Sequence, residues 1–228
     1  MGEEYFRRQT MKKILILVEG QTEEAFVKNV LSPYFWDKHI FCIPKIAITK
    51  LVKSGPHFKG GIVSYEKVKN DIKRLLQDSS ATMVTTMIDY YGFASLVPFK
   101  NSIQGRSGFD RVRSLEELFR KDIYDSRFLP YLQLHEFEAM VFVSPEAAAE
   151  TLMKPGKKDE MLKIKGKFKS PEDIDDNPSS TPSQRLYKIF PDYEKVADGP
   201  VIAEKIGLKK IREECTHFDQ WVTRLEKL

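Results

Sequence analysis

The stretch KILILVEGQTEEAF, residues 13–26, sets five apolar residues in series and ends them on a carboxylate, Glu19, followed by a glycine and two more glutamates. A run with no in-and-out alternation fits a strand covered on both faces, the situation of a parallel sheet flanked by helices. The pattern recurs. TMVTTMI, residues 82–88, runs into Asp89, and a strand expected from Phe128 to Leu134 runs towards Glu136 and Glu138. FCIPKIAI is a weaker strand, which Pro44 assigns to a sheet edge or a bulge.

Helical patterns separate these runs. One is expected from Glu23 to Tyr34, with Thr22 as its N-cap. Another spans Tyr65 to Gln77, with Val68, Ile72, Leu75 and Leu76 at helical spacing. A third, DRVRSLEELFRKDIY, would be capped by Asp110. Strands alternating with helical crossovers predict an α/β fold with a mainly parallel sheet sandwiched by helices. LVKSGPHFKGGIVS, residues 51–64, reads as a glycine-rich loop. From Ser144 onward no strand is expected, only helices, one of them opened by Thr181 with Pro182 at its first position. In the last helical stretch Ile211, Cys215, Phe218, Val222 and Leu225 share one face, and that face is read as core. The chain therefore divides into a flexible extension (1–10), an α/β domain (11–143) and a helical C-terminal region packed on it (144–228).

A chain of 228 residues can bury a sizeable core without disulfides or structural metal. Its net charge of +4 permits a polyanionic partner without requiring one. Cys42 and Cys215 have no zinc-site spacing, which fits a reducing, cytoplasmic setting. There is no run of about 20 apolar residues and no apolar leader, so no membrane association is expected. A homo-oligomer stays open.

In open α/β sheets ligands bind beyond the carboxyl ends of the strands. Glu19, Asp89, Glu136 and Glu138 stand there in this reading, and if the strands are neighbours their carboxylates meet in one crevice. Crowded carboxylates repel one another unless a cation compensates. Mg²⁺ or Mn²⁺ suits an all-oxygen set, and such ions imply phosphoryl chemistry with Glu19, Asp89 and Glu136 as the catalytic acids. Glu23 is a further ligand or simply a first-turn acid at the positive helix end. His135 is either a general acid or base or a histidine satisfied by its neighbours. GQTEE lacks the Lys-Ser/Thr of a Walker-type phosphate loop, so no intrinsic ATPase is expected, and without a Gly-x-Ser-x-Gly elbow no serine hydrolase is expected. Between Lys154 and Lys169 lies the densest positive charge. Lys163, Lys165 and Lys167, with Arg185, are candidates for tracking a nucleic-acid backbone, against the alternative of a solvated face neutralised by EDIDD.

LVEGQTEEAFV followed by MIDYYGF resembles the Toprim signature shared by topoisomerases, bacterial primases and overcoming-lysogenisation-defect nucleases. More closely, VEGQTEE, DYYGF, LQLHEFEAMVF, IDDNPSSTPSQRL and IGLKKIREECTHFDQWVTRLE resemble the bacterial domain-of-unknown-function family 4276, a Toprim-related group, over nearly the whole chain from Met11. The resemblance implies a Toprim-like core binding Mg²⁺ or Mn²⁺, and a nuclease working beside an ATPase protein in defence against phage. Glu19 then matches the Toprim glutamate and Asp89 the first aspartate of its Asp-x-Asp motif. Tyr91 stands where the second aspartate would be, and either Glu136 or Glu138 is left to supply that ligand. A subunit that binds or regulates without turnover is the other reading.

Overall fold

The computed structural model describes residues 11–47, 62, 64–174 and 180–228. The amino-terminal extension, nearly all of the glycine-rich loop and part of the acidic stretch EDIDD lie outside the described residues.

The apolar run of residues 14–18 becomes β1 (Lys12–Val18), flanked on one side by β2 (Ile40–Ile46) and on the other by β3 (Met83–Asp89). Beyond β3 lie β4 (Phe128–Leu129) and β5 (Leu132–Gln133), and every pairing is parallel. β2 holds the edge, where Pro44 costs no inner ladder bond. The strand expected over 128–134 is thus broken in two and ends at Gln133. Its pieces share one register, Val84 opposite Phe128 and Ile88 opposite Leu132. The break falls at Pro130, which has no N–H to donate. Next to it the Thr86 hydroxyl replaces a strand partner, accepting from the Tyr131 N–H at 3.0 Å and donating to the Tyr131 carbonyl at 2.7 Å.

The helices follow the crossovers. α1 (Gln21–Phe26) runs through a π-helical turn, Val27–Leu31, into α2 (Ser32–Trp36). Its N-cap is Gly20 and not Thr22, because the Glu23 carboxylate reaches back to the Gly20 N–H at 2.9 Å and fixes the start there. α3 is Tyr65–Leu76, α4 Tyr90–Ala94 and α5 Gly108–Ile123. α5 is capped by Ser107; Asp110, the expected cap, sits at the third helical position and closes the capping box from inside. After β5 the chain winds into a 3₁₀ segment, Phe137–Val143, then α6 (Pro145–Thr151), α7 (Lys158–Lys165), α8 (Pro182–Ile189), α9 (Lys195–Ile206), α10 (Leu208–Glu214) and α11 (Thr216–Glu226). Thr181 caps α8 with Pro182 following, as the sequence predicts.

Alternate residues of β1 face opposite layers. Ile14, Ile16 and Val18 are buried with residues of α1, α2 and α9–α11, whereas Leu15 and Leu17 are buried with α3, α4 and α5. A third cluster joins the 3₁₀ segment to α6–α9. The predicted face of Ile211, Cys215, Phe218, Val222 and Leu225 is buried in the same cluster as Ile14 and Ile16. Each large apolar side chain so buried contributes on the order of 2 kcal/mol. Trp221 stacks on Tyr131 at 4.3 Å and donates to the Thr85 hydroxyl at 2.9 Å, tying α11 to the sheet. Gly199 allows α9 to approach closely: a Cβ there would stand 2.9 Å from the Tyr193 hydroxyl and 3.3 Å from the Phe137 ring. That approach carries the first residue of α9, Lys195, to the carboxyl edge of the sheet. Among the described residues no helix is long and apolar enough to cross a membrane.

Candidate functional site

Because β1, β3 and β5 are parallel neighbours, their C-terminal ends open on one edge of the sheet. The expected meeting of Glu19 and Asp89 occurs. A Glu19 carboxylate oxygen accepts the Asp89 N–H at 3.2 Å. Asp89 in turn accepts the Phe137 N–H at 3.1 Å and faces the Lys195 ammonium at 3.5 Å. That ammonium also pairs with Glu138 at 3.1 Å, whose side chain is fully buried. Glu136 lies close enough to push the Asp89 carboxyl upward, but its own carboxylate is turned to the Ser183 N–H at 2.9 Å, at the start of α8. Glu136 and Glu138 therefore diverge, one to the α8 N-terminus and one to α9, since the backbone turns into the 3₁₀ segment between them.

Glu23, buried to 3 % exposure, takes the first-turn role weighed for it, accepting the Gly20 N–H, and it is coupled electrostatically to Asp89 and Lys195. Burial, and then Asp89, push Glu19 up to about 7 and Glu23 to about 8. Glu138 rises to about 7 through burial, against the pull of Lys195. Asp89 is raised by burial despite Lys195. Burial would lower Lys195, yet Asp89, Glu138 and Glu23 outweigh it and hold the ammonium firmly charged. Four carboxyls, Glu19, Glu23, Asp89 and Glu138, thus stand within electrostatic reach of one cation, and burial holds each above the ordinary carboxyl range.

Among the described residues no three metal-ligating side chains stand in a ready-made cage, since each acid is engaged by a backbone N–H or by Lys195. The donor chemistry nevertheless fits Mg²⁺ or Mn²⁺. All donors are carboxylate oxygens, negative charge exceeds positive, and neither buried Glu138 oxygen has a hydrogen-bond partner beyond its ion pair.

His135 is buried at a positive φ of 65°, with its ring against Tyr91 at 5.6 Å. It lines a cavity of about 340 Å³ with Arg106, Arg111 and Phe168, beside the acid crevice. Tyr91 lies in α4 and its hydroxyl is buried without a hydrogen-bond partner. Of the basic candidates, Lys163 and Lys167 are exposed on or just past α7. Lys165 is drawn onto the protein, donating to the Val143 carbonyl at 2.8 Å and pairing with Glu214 at 3.2 Å. Arg185 donates to the Ser180 carbonyl and lies over the Phe168 ring, two residues beyond the N–H that holds Glu136. Among the described residues Lys154, Lys157 and Lys158 pair with Asp192, Glu160 and Glu146, so part of the basic run is neutralised locally.

Lys195 has no place in the sequence-based site. It belongs to no motif and no charge run. One signal was available: a lysine in the first turn of a helix stands at the positive end of its dipole and needs a carboxylate to compensate.

The fold and site define an α/β protein with a carboxylate crevice at the carboxyl edge of a parallel sheet. The model of the family described as Domain of unknown function (DUF4276) matches residues 18–226, and the chain belongs to that family. No curated protein and no solved structure matches the chain.

Proposed function

We propose that this protein is a divalent-metal-dependent phosphodiesterase acting on DNA or RNA, built on a Toprim-like core and working with an ATPase partner in a bacterial defence system. The observation that carries the reading is the crevice itself: Glu19, Asp89 and Glu138 gathered on one cation, with Glu23 and Glu136 within electrostatic reach. Glu19, Asp89 and Glu136 would hold Mg²⁺ or Mn²⁺, with Glu138 completing the set. When bound, such an ion supplies a polarised phosphoryl group and a water of lowered pKa. A carboxylate of the crevice that the ion leaves free, or the metal-bound water itself, would supply the base. The Lys195 ammonium can turn from Glu138 to a phosphoryl oxygen and stabilise charge developing there. The Toprim likeness and the ATPase partner rest on the sequence motifs alone.

Tyr91, in the place of the second Toprim aspartate, favours the alternative of a binding or regulatory subunit, since its ring packs on His135 and offers no carboxylate. One assay separates the two. Purified protein is incubated with single- and double-stranded DNA and RNA in Mg²⁺ and Mn²⁺, alone and with the ATPase. The catalytic reading expects cleavage that Glu19→Gln/Asp89→Asn abolishes. Cleavage surviving in that variant, or absent under every condition, overturns it.

A further inference from the structure

A second cleft lies away from the acid crevice, between α5, β4 and α11. Its volume is about 350 Å³, and Arg113, Arg120 and Arg224 line it. Arg74 pairs with Asp71, Arg127 with Asp125, and Arg212 with Asp219 and Glu226. Among the described residues the three cleft arginines have no such carboxylate partner. Arg113 also lies over the Phe109 ring at 5.7 Å, and guanidinium forks lining one space can match the oxygens of a phosphate.

Glu116, half-buried in the lining, stands 3.0 Å from the buried His217, which lines a small adjoining cavity and whose two ring nitrogens have no aligned hydrogen-bond partner. Asp110, Glu116 and Glu117 are the acids of the lining. Asp110 is committed to the Ser107 N–H. Glu116 is pushed up to about 8 by burial, so at neutral pH it adds little negative charge. His217 is held down to about 4 by burial and by Arg113 and Arg224, and stays neutral as well.

Arg120 and Glu117 are shared with an adjoining open cavity that includes Tyr124. Tyr124 is 93 % exposed and closes α5 at a left-handed φ of 54°, a position glycine fills without strain. A protruding aromatic ring beside an arginine-lined cleft is the pairing a nucleotide requires, one part for the phosphate and one for the base.

We propose that this cleft binds a nucleotide unit, its phosphate held by Arg113, Arg120 and Arg224 and its base stacked on Tyr124. The unit is either a free nucleotide or one link of a single strand. No residue of the acid crevice takes part, so the site stands or falls apart from the proposed phosphodiesterase.

The test is calorimetric, on the full chain, with three probes: adenosine monophosphate, sulfate and a short single-stranded oligonucleotide. Arg120→Ala/Arg224→Ala, both exposed positions, should raise the Kd for all three at least tenfold. Tyr124→Gly should raise the Kd for adenosine monophosphate several-fold, leave sulfate unchanged, and raise Tm by relieving the left-handed backbone. Sulfate keeps its charge between pH 6 and 9, so its affinity should fall as Glu116 ionises above about pH 8, and Glu116→Gln should flatten that fall. If the double arginine variant also lowers the salt slope for the oligonucleotide by about 1.4, the ligand is a strand; binding of the mononucleotide alone makes it a free nucleotide. Glu19→Gln/Asp89→Asn should bind all probes as the wild type does. Absence of saturable binding, an unchanged Kd in the arginine variant, or adenosine monophosphate binding indifferent to Tyr124 overturns the proposal.

Discussion

Replacing Lys195 by methionine takes the ammonium out of a crevice of carboxyls while keeping a side chain of similar length. In the wild type that ammonium stands 3.1 Å from Glu138 and 3.5 Å from Asp89. At an effective dielectric of about 20 each pairing is worth roughly 5 kcal/mol gross. Desolvation offsets most of this, and the lysine side chain remains 34 % exposed, so a net cost of about 2 kcal/mol is expected when the acids are ionised. The cost depends on pH, with a determined sign. Glu19 and Glu138 at about 7 and Glu23 at about 8 lie above the ordinary carboxyl value of 4.5. Acids raised in this way lend stability at low pH and lose it as pH climbs from about 5 through 8. At pH 5 they are protonated and need no counter-ion, so the substitution should cost about 1 kcal/mol or less. At pH 8 the full cost should be seen. Urea unfolding of both proteins at the two pH values, with chelator present, reads this directly. An equal cost at pH 5 and pH 8 would refute the claim that Lys195 is there to balance the acids.

Three other substitutions probe the scaffold by the same denaturation assay. Thr86→Val leaves both Tyr131 backbone groups without their partner beside Pro130, and should cost about 2 kcal/mol; a loss within error would show that the edge strand repairs itself. Glu172 accepts the His217 and Phe218 N–H groups at 2.8 and 3.0 Å at the start of α11, so Glu172→Ala should cost about 1 to 2 kcal/mol, and Glu172→Gln less. Trp221→Phe removes the bond to Thr85 and part of the stack on Tyr131, with an expected cost of about 2 kcal/mol.

What could be read from the sequence was what local pattern controls. The run at residues 14–18, buried on both faces, could form little else than an inner parallel strand, and Pro44 marked β2 as an edge. Glu19 and Asp89 were legible as partners because one follows β1 directly and the other ends β3, and parallel neighbours must end on the same side. The divergence of Glu136 and Glu138 was not legible. It depends on a 3₁₀ turn and on two helices from distant parts of the chain arriving to claim one acid each. The helix starts differ by a few residues from those expected at Thr22 and Asp110 for a related reason. An acid at the third helical position fixes the cap upstream of itself, and a capping residue read alone conceals that. Lys195 depends on the close approach that Gly199 permits, a tertiary fact without a local signature.

The central claim is that the acid crevice takes up a divalent cation, and calorimetric titration of Mn²⁺ tests it most directly. Wild-type protein should show saturable binding that tightens from pH 6 to pH 8 and releases protons, because the raised carboxyls must ionise to bind. Glu19→Gln/Asp89→Asn should abolish the heat of binding. Wild-type protein that binds no Mn²⁺ at pH 8, or a variant that binds it equally well, would contradict the account and leave the acids as a buried network organised around Lys195.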